Sequence, residues 1–188
     1  RPMFVTVNAD DNSNVLAIEN IKLMLGHYQQ LVNLSSESGD SVVVWTTTPS
    51  ILQTALDEEA NQTELETIGS WNELVDLIID EDIECRLTSD DQFLSAATYA
   101  SSALLNKDLD INPTCDYLST GSGDSTPFAS STLWVLEIDP ELSEEDRKSV
   151  QNEFRDLFGK FSDDSSLEYG VVSLDLLSND IDDRTLDN

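Results

Sequence analysis

Carboxylates are the one chemically versatile side chain this sequence offers in quantity, with 38 Asp and Glu against nine Lys and Arg. Asp10 and Asp11 directly follow a strand-like stretch, Phe4 to Asn8, and Asp139 directly follows another, Leu133 to Ile138. Acids leaving the carboxyl ends of parallel neighbours face a common crevice. There they could hold a hard cation such as Mg²⁺ through oxygen ligands. Asp108-Leu109-Asp110-Ile111-Asn112 opens like a calcium loop, but Pro113 replaces the required glycine and Ser119 the required glutamate. The expectation is therefore no resident cofactor, with Mg²⁺ or Ca²⁺ as the alternative and Asp10, Asp11 and Asp139 as its ligands.

An acid pair placed after the first strand resembles the acidic pocket of phosphoacceptor receiver domains, which implies Mg²⁺-dependent phosphoryl chemistry. The resemblance covers about twenty residues. No later strand supplies a phosphoacceptor, because Asp80 follows Ile78-Ile79 at a predicted helix end.

Other chemistries are disfavoured by count or spacing. His27 is the single histidine, so neither a His-based metal site nor a convincing Ser-His-Asp set can be assembled; it falls beside a helical apolar stripe and reads as a core-edge residue. Neither GxGxxG nor GxxxxGK[ST] occurs, and Gly121-Ser122-Gly123-Asp124 has no basic neighbour to help hold an anion. Cys85 and Cys115 permit one disulfide, while their separation fits neither a CxxC redox pair nor a zinc set; bonded and unpaired states both stay open. Arg147-Lys148 and Arg155 share a helix with five acids and read as intrahelical ion pairing, so direct nucleic-acid binding is not expected.

Positioning these residues are two strand–helix–strand units. The first comprises strand Phe4 to Asn8, a helix bearing Ile18, Ile21, Leu25, Tyr28 and Val32 on one face, and Val42-Val43-Val44-Trp45, which reads as a fully buried strand. The second comprises Leu133 to Ile138, a helix from Ser143 to Phe161 with Val150, Phe154, Leu157 and Phe161 as its stripe, and strand Tyr169 to Leu176. Between them lies a helical middle, with a helix start at Pro49, a capping box at Ser70-Trp71-Asn72-Glu73, a short strand near Ile83 to Leu87 and an Ala/Ser-rich helix from Phe93 to Leu105.

Each unit has a crossover long enough for a right-handed βαβ element, and the preferred reading is an α/β fold with a mainly parallel sheet. The alternative is α+β, ferredoxin-like with a large insertion. At 188 residues one acidic domain is expected, with residues 106–131 as a mobile loop and 178–188 as a frayed acidic tail.

The net charge of −29 shapes the functional expectation. Its self-repulsion weakens a compact state in dilute buffer and is screened at molar salt, where the Debye length is about 3 Å. Because the acids are spread from Asp10 to Asp187, the first reading is a non-enzymatic interaction or structural domain of a halophilic source. The alternatives are an acidic inhibitor or nucleic-acid mimic binding a basic protein, and the Mg²⁺-dependent domain above. No apolar run suits a membrane span and no signal-peptide pattern opens the sequence. The expected setting is thus soluble, cytoplasmic in a halophile or extracellular after processing.

Overall fold

A computed structural model describes residues 1–55, 62–70, 73–74 and 129–177. Within them Pro2–Ala9 forms β1, Val42–Thr46 β2, Ser131–Ile138 β3 and Leu167–Val172 β4, joined into one sheet of order β2-β3-β1-β4. Every neighbouring pair is antiparallel. This overturns the expected mainly parallel sheet.

The reason lies in what a crossover specifies. Helix α1, Ile18–Glu37, returns the chain so that β2 runs in the direction of β1, and α4, Glu144–Asp164, does the same between β3 and β4. Orientation is all that a crossover fixes. A strand from the other unit enters each gap, β3 between β1 and β2, and β1 between β3 and β4. The result is an α+β sheet of split βαβ units, the ferredoxin-like alternative, with residues 47–130 inserted between β2 and β3.

The strands alternate as half-buried strands should. Met3, Val5, Val7 and Ala9 of β1 and Trp134, Leu136 and Ile138 of β3 are buried on the inner face, while Phe4 and Glu137 are exposed on the outer one. Tyr28 of α1 packs edge-on against Trp45 of β2, and Trp45 in turn meets Phe154 of α4. Both long helices therefore cover the same inner face, leaving the outer face without a helical layer among the described residues.

Local chemistry sets the helix ends. Asn14 bridges two segments before α1, its Oδ1 accepting from the Leu16 and Ala129 main-chain nitrogens at 3.1 Å each. Beyond α1, Gly39 takes the left-handed conformation at φ 74°, the usual exit from a helix. Ser143 caps α4, its Oγ accepting from the Asp146 nitrogen at 3.1 Å. Of the expected α4 stripe, Val150, Phe154 and Phe161 are buried; Leu157 is only partly buried and Phe158 takes the central place. The short helices α2, Thr48–Ala55, and α3, Gln62–Thr67, belong to the insertion. At Ser70 the serine half of the expected capping box is present, Ser70 Oγ accepting from the Glu73 nitrogen at 3.2 Å, while the Glu73 carboxylate accepts from the Gly69 nitrogen rather than from that of Ser70.

Two further expectations are corrected. Val42-Val43-Val44-Trp45 is an edge strand rather than a buried one: a bulge inserts Val43, which is 52% exposed. An apolar run looks the same in either place, but here only Val42 is buried and Trp45 partly so. The last strand ends at Val172, and residues 174–177 turn helical, with the Leu177 nitrogen bonded to the Ser173 carbonyl oxygen. The elements expected at Ile83 to Leu87 and Phe93 to Leu105 lie outside the described residues, as do Cys85, Cys115, the tail 178–188 and the loop 106–131 up to residue 128.

Candidate functional site

The three acids expected to converge do not meet. Asp10 and Asp11 sit in a 3₁₀ turn after β1, where the Asp10 nitrogen donates to the Ser166 carbonyl oxygen and Asp11 adopts φ 54°. Asp139 follows β3 at the other end of the sheet, where the Ile138 nitrogen donates to the Arg1 carbonyl oxygen. Antiparallel pairing of β1 with β3 puts the eight residues of β1, about 25 Å, between them. Asp139 serves its turn, its Oδ1 accepting from the Glu141 nitrogen at 2.9 Å. No group of three or more His, Cys, Asp or Glu that could hold a metal ion occurs among the described residues.

His27 lies where α1 meets α4 and β4. Its ring stacks on Phe161 with centroids 4.1 Å apart and meets Tyr169 edge-on at 5.5 Å. Its Nδ1 stands 2.7 Å from the Tyr169 hydroxyl. Burial pushes the imidazole down to about 4 and the Tyr169 phenol upward, so at neutral pH both groups are uncharged. Either the phenol donates to an unprotonated Nδ1 or an Nδ1–H donates to the phenol oxygen, according to the imidazole tautomer. Trp134, Phe158 and Phe161 complete the aromatic cluster around Tyr169. A neutral imidazole held this way locks helix to sheet; it is poorly suited to be a general base near neutrality.

A second polar cluster centres on Asp175, the one acid among the described residues that is buried. Oδ1 accepts from Arg1 Nη1 at 2.9 Å, Oδ2 accepts from Gln151 Nε2 at 2.9 Å, and Arg147 Nε lies 3.7 Å away. Ser173 Oγ donates to Gln151 Oε1. Burial alone would raise the Asp175 carboxyl, but the Gln151 hydrogen bond and the Arg1 and Arg147 charges outweigh it and hold the group below its ordinary range. This network fastens the start of β1, the first turns of α4 and the segment after β4. Sequence offered no signal for it, since one more aspartate in a chain so rich in acids is unremarkable.

The outer face of the sheet is the remaining feature. Registers align Thr46, Val135, Phe4 and Val172 in one row across all four strands. Phe4 is 41% and Val172 50% exposed. The adjoining row carries Leu133, Thr6 and Gly170, and beyond the two rows stand Glu137 at one end and Glu168 at the other. At Gly170 the sheet is smooth, because a Cβ there would come within 2.6 Å of Thr6 Oγ1. Alternation in the sequence could have located this face; the expectation of a mainly parallel sheet concealed it.

No protein-family model matches this chain, and no curated protein or solved structure shows significant similarity to it. No helix among the described residues is long and apolar enough to cross a membrane.

Proposed function

We propose that this chain is a non-enzymatic interaction domain of a salt-adapted source, its carboxylate coat serving hydration and dispersal in concentrated salt. The observation that supports this reading is where the acids sit. Among the described residues Asp175 is buried and compensated and Asp139 is partly buried, whereas Glu19, Glu37, Asp40, Glu137, Glu145, Glu153, Asp163 and Glu168 are exposed on helices, turns and strands alike. Charges spread in this way concentrate no field on one substrate, but they repel one another throughout.

Neutralising part of the coat tests the reading. A variant carrying Glu145→Gln, Glu153→Gln, Asp163→Asn and Glu168→Gln is expected to melt at a higher temperature than the parent in dilute buffer, and at the same temperature in multimolar KCl. A variant that melts lower at both salts would contradict it.

A second reading, an acidic inhibitor or nucleic-acid mimic that captures a basic protein, draws on Glu137 and Glu168 flanking the open apolar rows. It expects a tight complex with a basic protein that dissociates steeply as salt is added. The Mg²⁺ reading draws no support from Asp10, Asp11 and Asp139, which stand at opposite ends of the sheet.

A further inference from the structure

We infer that the open face of the sheet is a docking surface for a basic amphipathic helix of a partner protein, with Phe4, Val135 and Val172 receiving its apolar side and Glu137 and Glu168 its basic flanks. The inference rests on the interaction-domain reading and names the partner's chemistry. Three observations carry it.

First, the face is apolar where it has no need to be. The row through Val135, Phe4 and Val172 crosses the sheet on the side opposite α1 and α4, and its Phe4 and Val172 remain substantially exposed. In a chain that places acids on most other surfaces, an apolar row over three adjacent strands, with Thr46 at its β2 end, stands apart, and contiguous exposed apolar surface marks interaction sites.

Second, the dimensions suit a helix better than a globular partner. Four strands spaced at about 4.8 Å make a face about 19 Å wide, and the rows from Glu137 to Glu168 span about 20 Å along the strands. The area is near 400 Å², about half of the roughly 800 Å² that each side of a standard interface contributes. A helix about 10 Å across fits between the two glutamate rows, and about 14 residues of it, some 20 Å, cross the sheet.

Third, charge selects the occupant. A second copy of this chain would bring its own Glu137 and Glu168 into short-range contact with the same two glutamates. A helix with lysines or arginines flanking its apolar stripe meets both glutamates with the opposite sign. In concentrated salt the long-range attraction is screened, so apolar burial supplies the affinity and the short-range pairs set orientation and choice of partner.

The probe is a synthetic peptide of about 14 residues, leucine on one helical face and lysine on its flanks, with a leucine–glutamate counterpart of identical pattern. Binding is measured by fluorescence anisotropy at a KCl concentration where the melt shows the protein fully folded. The lysine peptide is expected to bind at least tenfold more tightly than the glutamate peptide. Phe4→Ser, folded by near-ultraviolet circular dichroism, is expected to lose at least tenfold in affinity, and Glu153→Gln on the far side of the molecule to lose none. Equal loss in the two variants would mean that the lysine peptide merely adheres to the acidic coat and would overturn the inference. So would self-association of the parent that Phe4→Ser abolishes, since the occupant would then be a second copy. A fold that needs no salt, joined to peptide binding that fails only in Phe4→Ser, would remove the salt-adapted reading and leave the docking surface standing.

Discussion

The two faces of the four-stranded sheet are built from the same strands, residue by residue in alternation, yet they have opposite fates. Toward the helices, Met3, Val5, Trp134 and Leu136 are fully buried, and even the polar groups of His27 and Tyr169 find each other. Away from them, Phe4, Val44 and Val172 stay 41–50% exposed beside Glu137 and Glu168. Hydrophobicity alone does not explain the difference, because valine occurs on both sides, Val5 and Val7 inside and Val135 and Val172 outside. What separates the faces is whether a crossover helix lies above them, and both crossovers lie on one side. Among the described residues the inner face carries the core, and no helix lies over the outer one.

The largest test of that contrast pairs a truncation on each face. Trp134→Ala removes a fully buried indole whose Nε1 donates to Thr48 Oγ1 at 3.3 Å, and it is expected to cost about 3–5 kcal/mol in urea unfolding. Comparable costs for Trp134→Ala and the outer-face Phe4→Ser would show that the outer face is also sealed.

Next in size is the Asp175 network. Asp175→Asn leaves Arg147 and Gln151 imperfectly paired, and a loss of about 3 kcal/mol is expected. Because the folded carboxyl lies below its ordinary range, its contribution is complete above about pH 4, the usual range for an unfolded carboxylate, and fades as pH falls through the depressed folded value. The asparagine variant should therefore show a flatter stability profile below pH 4 than the parent.

His27 acts in an adjoining window. Its folded value of about 4 lies below the unfolded 6.5, so the unfolded chain binds the extra proton first and stability falls as pH drops from 6.5 toward 4. A fully sealed ring would lose about 3 kcal/mol across that interval, and the edge left open to solvent reduces this to about 2 kcal/mol. Denaturant titrations at a series of pH values should show the slope in the parent and its absence in His27→Gln.

The smallest effect belongs to the outer face. Phe4→Ser, at a site 41% exposed, is expected to cost about 1 kcal/mol, by the same unfolding measurement, while weakening peptide binding.

Much of this architecture was legible in the sequence, and the limits are physical. Alternation in β1 and β3, and the helical stripes Ile18-Ile21-Leu25-Tyr28 and Val150-Phe154-Phe161, are local patterns that a reader can recover without a partner strand. Strand adjacency is not local: the same crossovers serve a parallel sheet and a split one, and only the pairing of β1 with β3 distinguishes them. The error about Asp10, Asp11 and Asp139 follows directly, since carboxyl ends converge only in parallel neighbours. His27 was placed correctly as a core-edge residue, but its partner Tyr169 lies on β4, 142 positions along the chain, and no spacing announces such a pair. Val43 and Val44 misled for the opposite reason, an apolar run being compatible with both an edge and a centre.

Thermal unfolding of the unaltered chain from dilute buffer to multimolar KCl tests the central claim most directly, that the carboxylate coat is an adaptation of the whole surface. The midpoint is expected to rise steeply and to keep rising up to molar salt, where the Debye length is about 3 Å and even neighbouring surface charges are screened. A midpoint that is already high in dilute buffer and does not respond to added salt would contradict it.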